Sequence, residues 1–527
     1  MMTIILIICF AISGIYLILN FKHDIHMLQQ NSYRIDRYWR WLKNGNLWNA
    51  SELIDIALLM LLMSTLMPAK IATILIALVA VFKIINILRK KFKKPLVFTK
   101  RVWRIYSCVG IIASLIFILA SIFSDGLNNP VIPMAVLLII SIFSWILVML
   151  SVILLQPVEN AINRKFYNEA QKILRSMPDM KIIGITGSFG KTSTKHYLHR
   201  ILSESFDVLM TPGSYNTPMG VIRTIREMMK PYHQVFICEM GAKQKGDIKE
   251  ICDLVNPHMG IITAVGPMHL ESFKSIENVQ ATKFELADAL PSEGLVVVNN
   301  DFEYCENRKV NNVKTTRYAV SNPKNADFKA VDIDYSPNGT TFRIVGPDNF
   351  SLELYTQLIG ECNISNLIAA VIIALKLNMP AERIKYAVSQ IEQVEHRLNL
   401  KRTPGGVNII DDAFNSNPAG SKMAVDVLSQ FKTGKRIIVT PGMIELGDKQ
   451  YELNKALGKH IGDSIDIAII VGAYNREALL EGVKSGSIEE QNVYAVDSFN
   501  EAQALLARIL QKGDTVLYEN DLPDTFK

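Results

Sequence analysis

Long uncharged apolar runs recur through the first 155 residues, and nothing else in the chain limits its folding so tightly. A backbone inside a bilayer must satisfy its own hydrogen bonds, so such runs have to become helices. Residues 3–19 carry no charge. Residues 105–123 and 131–155 are each long enough to span a bilayer core of about 30 Å. Residues 53–88 form a 36-residue stretch interrupted by Pro68, Ala69 and Lys70. A single helix of that length would reach roughly 54 Å, too long for one crossing, so we expect a hairpin of two short spans. No basic segment stands before residue 3 and no small-residue cleavage site follows residue 19. We therefore expect a retained helix and not a cleaved signal peptide.

Charge supports five spans with the N-terminus outside. Residues 22–52 and 89–104 then lie inside with five and eight Lys/Arg, while the outer loops hold only Lys70, the positive-inside pattern. Residues 1–160 carry 15 Lys+Arg against 6 Asp+Glu, a net +9, whereas the remainder carries −3. The overall +6 thus belongs to the first third. This excludes a generally basic nucleic-acid binder, whose charge should lie on its folded domain. The six cysteines include no Cys-x-x-Cys pair and read as small buried hydrophobes in a reducing compartment. Residues 31–48 interleave Tyr33, Tyr38, Trp39, Trp41 and Trp48 with Arg34, Arg37, Arg40 and Lys43. We read this as an interfacial helix among lipid headgroups; the alternative is a grip on an anionic headgroup or diphosphate.

From residue 181 the pattern changes to short β-branched runs alternating with helical ones. Strands are expected at 181–186, 234–240, 260–265 and 295–299. A more antiparallel stretch follows at 329–335, 340–345 and 350–355. After helices at 363–377 and 381–391, a fresh alternation begins, with strands at 407–412, 435–440, 466–472, 492–496 and 514–519. This is the signature of two parallel-sheet domains joined near residue 400. The fold class is α/β: a transmembrane helical domain of about five spans (1–156), a central phosphate-loop ATPase domain (157–400) and a C-terminal Rossmann-like domain (401–527).

GITGSFGKTST (184–194) follows a strand and opens a helix, the context of a phosphate-binding loop. Gly187 and Gly190 allow close approach to phosphate oxygens, flanked by Ser188 and Ser193, and the helix N-terminus adds free N–H groups. Lys191 would reach the β- and γ-phosphates of ATP, and Thr192 would hold Mg²⁺. The spacing is the short Gly-x-x-Gly-Lys-Thr form, because Ile185 stands where the usual first glycine would be.

Further motifs follow in order: GSYNTPMG (213–220), CEMGAKQKGDI (238–248), GPMHLESFKSIENVQATKFEL (266–286), GECNISNLIAA (360–370), EHRL (395–398), IIDDAFNSNP (409–418) and PGMIELG (441–447). Together with the phosphate loop they resemble the Mur ligase family, and within it the branch that adds D-alanyl-D-alanine to a muramoyl peptide. The resemblance covers about residues 181–527. It implies an ATP-dependent acid–amino-acid ligase that phosphorylates a carboxylate for attack by an amine. It further implies Glu239 and His269 as metal ligands, Lys283 as a carbamylated lysine, and Arg397 as a hinge arginine reaching the γ-phosphate. Asn363 and Asn366 would meet adenine and Asp412 ribose; Asn216 is a weaker substrate-site candidate. Taken alone, Glu239 and Lys283 are ordinary solvated side chains, and the asparagines could simply cap a helix.

Residues 1–156 stand where this branch holds its nucleotide-sugar domain. We therefore expect a bacterial membrane protein with cytoplasmic ligase domains, acting on a cell-wall precursor that bears a free carboxylate and arrives on a lipid carrier docked by the membrane domain. The partners are that precursor, an amino acid or dipeptide amine, and membrane lipids, with no nucleic acid. An ATPase-coupled transporter, a non-catalytic membrane scaffold and a folylpolyglutamate-type ligase are the alternatives. The first lacks a midspan cluster of ionisable groups in sequence, and the second predicts broken motifs.

Overall fold

The computed structural model describes all residues except 1, 44–49, 65, 91, 93, 125–128, 269, 337–338, 414–416 and 523–527. The chain forms two compact units that divide at Arg164/Lys165.

The first unit is helical. Its elements are α1 (Met2–Gln30), α2 (Ile35–Trp41), α3 (Ala50–Met63), α4 (Ala69–Arg89), α5 (Lys100–Phe123), α6 (Val131–Ile142) and α7 (Ser144–Arg175), the last continuing into the second unit. Four of these, α1, α4, α5 and α7, are long and apolar enough to cross a bilayer. The expected hairpin forms as α3 and α4, turning before Pro68, although α3 has only 14 residues. The expected span at 131–155 is not one helix. It breaks at Phe143 (φ −108°, ψ 26°) into α6 and α7. Polar side chains within the unit reward the break: Ser141 Oγ donates to Asp55 (3.0 Å), and Asn20 Nδ2 reaches both Ser141 O and Ser144 Oγ (3.1 Å each). The expected boundary at residue 156 falls inside α7, which runs through Pro157 unbroken.

Small and apolar side chains such as Ala72, Ile76, Val109 and Met134 fill the interior of this unit, while Ile4, Leu78, Ile111 and Ile122 are exposed. The aromatic residues of 31–43 turn inward: Tyr38 is buried and stacks on Trp41 at 5.8 Å, and Trp39 meets Trp145 at 5.4 Å. Arg34 and Arg40 pair with Asp36 instead. Trp48 lies outside the described residues.

The sequence reading missed a buried ion pair. Lys83 Nζ lies 2.5 Å from Asp55 Oδ1, with the two side chains 7% and 4% exposed. Lys83 also donates to Ser51 O at 2.8 Å.

The second unit is α/β and carries two sheets. The first contains β1 (Lys181–Thr186), α8 (Lys191–Leu202), β2 (Val208–Met210), α9 (Pro218–Met228), β3 (Val235–Glu239), α10 (Asp247–Val255), β4 (Met259–Ile262), α11 (Leu270–Phe273), α12 (Ile276–Asp288), β5 (Leu295–Asn299), α13 (Glu303–Glu306), β6 (Lys314–Ala319), β7 (Phe328–Ser336), β8 (Gly339–Val345), β9 (Ser351–Thr356), α14 (Glu361–Lys376) and α15 (Ala381–Ser389). Its strand order is β2-β3-β1-β4-β5-β6-β7-β8-β9. Pairing is parallel through β7 and antiparallel across β7-β8-β9. The alternation along β1 explains the two layers. Ile183 and Ile185 pack with Leu198 and Leu367 on one face, and Ile182 packs with Ile222, Ile248 and Phe284 on the other.

The second sheet contains β10 (Asn399–Arg402), β11 (Asn408–Asp412), α16 (Pro418–Ser429), β12 (Arg436–Thr440), α17 (Gln450–Ser464), β13 (Ile467–Val471), α18 (Arg476–Lys484), β14 (Val493–Val496), α19 (Phe499–Ile509) and β15 (Thr515–Glu519), in the order β10-β11-β15-β12-β13-β14. All its pairs are parallel except β10–β11.

Removing one partner of a buried ion pair leaves the other charge uncompensated, at about 3–5 kcal/mol. Lys83→Met should therefore lower the unfolding midpoint of the purified protein sharply. The double variant Asp55→Leu/Lys83→Met should recover most of the loss; equal midpoints for wild type and Lys83→Met would contradict the pairing.

Candidate active site

Parallel pairing of β1 with β3 sets Ile185 beside Glu239, so the phosphate loop leaves the sheet next to the carboxylate that ends β3. The loop depends on its glycines. Gly187 has φ +153° and Gly190 φ +82°; a Cβ would stand 2.1 Å from Thr263 Oγ1 at the first and 2.5 Å from Asn366 Oδ1 at the second. No described side chain caps α8 at Gly190, which leaves its first N–H groups pointing into the loop. Ser188 is buried and donates to Gly266 O at 3.0 Å. Ser193 is buried too.

Lys191 folds back over the loop, donating to Gly187 O (2.7 Å) and Ser188 O (3.3 Å). Burial pushes its ammonium down to about 8, with Glu239 opposing and Arg397 adding to the shift. Thr192 Oγ1 donates to Glu239 at 3.2 and 3.3 Å, and Asn216 Nδ2 to Glu239 Oε1 at 3.1 Å. Burial pushes the Glu239 carboxyl up, but Lys195 and Lys191 outweigh it, and the group ends below the ordinary range. The Thr192 hydroxyl and the Glu239 carboxylate are the hard oxygen donors that Mg²⁺ takes. Among the described residues, no group of three His, Cys, Asp or Glu gathers around a common point. His269 lies outside the described residues.

Lys283, on α12, is 3% exposed, with its Nζ 6.0 Å from the Phe273 ring centre. Burial pushes its ammonium down to about 7, Lys191 adding to the shift and Asp247 and Glu285 opposing it. The solvated lysine of the plain sequence reading is therefore not what forms.

Asn363 and Asn366 lie buried on α14 against α8. Tyr197 OH donates to Asn363 Oδ1 (2.7 Å) and Thr194 Oγ1 to Asn366 Oδ1 (3.1 Å), while Asn363 Nδ2 bonds Ile359 O (2.8 Å). Asn363 is thus occupied within the fold at both ends, and Asn366 abuts Gly190 of the loop.

Arg397 stands in the segment that joins the two sheets. Its neighbours His396 (φ 58°) and Leu398 (φ 47°) both have left-handed backbone. Burial holds its guanidinium below the usual range, against the pull of Asp412 and Glu239. The arginine therefore feels an acid from each sheet. Asp412 ends β11 in register with Glu519 of β15. Burial and Glu519 push the Asp412 carboxyl up to about 7, against Arg397. His396 Nδ1 contacts Asp411 at 2.8 Å.

Sequence reasoning missed two residues. Lys195 is fully buried and pairs with Glu239 Oε2 at 2.9 Å; its place one helical turn after Lys191 was the available signal. Glu519 accepts from Thr440 Oγ1 (2.6 Å) and Ser421 Oγ (2.7 Å), and no local pattern marks it.

The family model of the Mur ligase middle domain matches residues 185–374, and that of the Mur ligase, glutamate ligase domain matches 396–518. The chain belongs to the Mur ligase family. It is an ATP-dependent ligase of that family. A UDP-N-acetylmuramoyl-tripeptide–D-alanyl-D-alanine ligase of Bacillus subtilis is 28% identical over 344 residues, 64% of this Mur ligase and 72% of the relative. The ligase of that name from Buchnera aphidicola (Baizongia pistaciae) is 30% identical over 59% of this chain and 67% of its own length. Among solved structures, MurF from Acinetobacter baumannii superposes with a TM-score of 0.60 at 25% identity, over 68% of this chain and 77% of that one. MurF from Thermotoga maritima in complex with ADP shares the fold, with a TM-score of 0.60 at 23% identity over 68% and 80%. Neither family model reaches the helical unit.

A lysine of ordinary value 10.5 that drops to about 7 on folding binds its proton in the unfolded chain first, so it lowers stability below about 7 and ceases to do so above 10.5. Lys283→Met should therefore melt higher than wild type at pH 7 in nucleotide-free, bicarbonate-free buffer. That advantage should shrink steadily toward pH 10.5; a pH-independent difference would refute the buried neutral amine.

Proposed function

We propose that this Mur ligase joins a carboxylate of a peptidoglycan precursor to an amino acid or dipeptide amine through an acyl phosphate, at the cytoplasmic face of the bacterial membrane. The observation that carries the reading is the meeting of Lys191, Thr192 and Glu239 beside a glycine loop, in a chain similar to ligases named for adding D-alanyl-D-alanine. The chemistry must bring two anions together, so cations and aimed donors have to surround them.

In this reading Gly187, Ser188, Gly190 and Ser193 line the phosphates of ATP, and Lys191 screens them. Thr192 and Glu239 would hold Mg²⁺, which supplies charge neutralisation at the terminal phosphate. His269 keeps the metal-ligand role that the family resemblance gives it. Arg397 would reach the γ-phosphate from the hinge, Asp412 the ribose, and Asn366 the nucleotide beside Gly190, with Asn363 holding α14 in place. Asn216 would face the acceptor. Lys283 would carry a carbamate: an amine kept neutral by burial can add carbon dioxide and release a proton. The anion so formed would be stabilised by the same Lys191 that disfavours the ammonium.

The membrane assignment is supported by four long apolar helices and by apolar side chains on the outer surface of the helical unit. We read five crossings, with the basic segments 22–52 and 89–104 on the cytoplasmic side. Because this unit stands where the related ligases carry a different first domain, the acceptor is read as lipid-linked.

One assay tests these points: full-length protein with ATP, Mg²⁺, an amino-acid pool and matched soluble and lipid-linked muropeptides, the products identified by mass spectrometry. The lipid-linked acceptor should be preferred, and bicarbonate depletion should slow the reaction. Lys191→Ala should lose at least about a hundredfold in amine-dependent ATP turnover, the scale of losing one charge-stabilising donor. Preference for the soluble acceptor would remove the lipid-linked reading, and undiminished turnover by Lys191→Ala would remove the phosphate role.

A further inference from the structure

Lys195 carries a charge that none of the roles above uses. It is fully buried, as is Glu239 at 1% exposure. Its ammonium donates to Glu239 Oε2 (2.9 Å) and to Gly213 O (2.7 Å). The other carboxylate oxygen, Oε1, accepts from Asn216 (3.1 Å), and the Thr192 hydroxyl is shared between Oε1 (3.2 Å) and Oε2 (3.3 Å). Gly213 and Asn216 belong to one loop, between β2 and α9, and that loop is pinned again where Gly241 N donates to Asn216 O at 2.7 Å. A single ammonium thus joins three parts of the site: the helix that follows the phosphate loop, the acid that ends β3, and the loop that carries Asn216.

Burying an ammonium is costly, and a neutral or apolar pair of similar volume generally stabilises a fold at least as well. A stability role therefore does not account for this lysine, whereas its position explains how the acid is aimed. Thr192 lies nearly midway between the two oxygens, 3.2 Å from Oε1 and 3.3 Å from Oε2, but the ammonium on Oε2 opposes a second cation there, which leaves Oε1 for the metal. A carboxylate restricted to one oxygen suits the small octahedral shell of Mg²⁺. The larger Ca²⁺ shell commonly takes a carboxylate through both oxygens.

We propose that Lys195 is a positioning residue that fixes Glu239 for one-oxygen ligation, favours Mg²⁺ over Ca²⁺, and ties the metal ligand to the Asn216 loop. This rests on the reading of Thr192 and Glu239 as the metal-binding pair. Lys195 acts through the two groups its ammonium contacts, Glu239 and Gly213.

The test is metal-dependent ADP binding to the full-length protein in detergent, titrated separately with Mg²⁺ and Ca²⁺, alongside melting temperature and ADP binding in EDTA. Residues that orient a metal ligand typically contribute 10- to 100-fold to metal affinity. In Lys195→Met the Mg²⁺ midpoint should accordingly rise by at least about tenfold, and the gap between Mg²⁺ and Ca²⁺ should narrow, with metal-free ADP binding unchanged. Lys195→Gln, which can still donate to Gly213 or Glu239, should fall between the two and replaces the methionine variant if that does not fold. A Mg²⁺ midpoint within twofold of wild type in either folded variant, with the Ca²⁺ gap intact, overturns the proposal. Wild-type protein and Glu239→Gln serve as the controls for the underlying reading. If wild-type ADP binding ignores Mg²⁺, or Glu239→Gln leaves the Mg²⁺ midpoint where it was, the metal pair itself has been misassigned. If Glu239 matters and Lys195 does not, only the positioning role fails.

Discussion

A carboxylate at the end of an interior strand, paired with the Lys195 ammonium and within the field of Lys191, organises the catalytic unit. A charge cannot remain in such a place unpaired, and the fold brings its partners from one short stretch of chain. The turn after β1 starts α8, and α8 delivers Lys191 and Lys195 one turn apart. Parallel pairing of β1 with β3 then sets that helix beside Glu239. The glycine loop, the helix start and the acid are thus consequences of one strand order, and the loop between β2 and α9 closes over them through Gly213 and Asn216.

The helical unit obeys the same rule. Asp55 and Lys83 come from α3 and α4, and Ser141, next to the break between α6 and α7, donates to the same carboxylate. The broken helix and the buried pair explain each other: side-chain donors near the break go to buried acids.

Much of this architecture could be read from residue order alone, and the failures have physical causes. Strands such as β1, β5 and β12 are dominated by β-branched residues and are legible in the sequence. The strands β2, with three residues, β6, with the sequence KTTRYA, and β10, with NLKR, are too short or too polar to show a period. The break at Phe143 lies in a run without proline or glycine nearby, so it left no trace in hydropathy. The pairing of Asp55 with Lys83 spans 28 positions, far outside any local pattern. At the site, the loop glycines, Thr192 and Glu239 were recognisable as motif, whereas the burial of Lys283 follows from tertiary packing. Lys195 is within reach of simple helical spacing but falls outside the loop signature.

The segment between the two sheets has a property of its own. Two residues with side chains, His396 and Leu398, hold left-handed torsions on either side of Arg397, a conformation worth roughly 1–2 kcal/mol of strain per residue. A connector shaped like this keeps its direction through its own torsions as well as through the surfaces it separates. Glycine at either position would relieve the strain while admitting many more rotations, so the guanidinium would be delivered less often to its place between the two acids. Stiffness at this point is therefore a property of backbone angles and does not require either flanking side chain to touch a reactant.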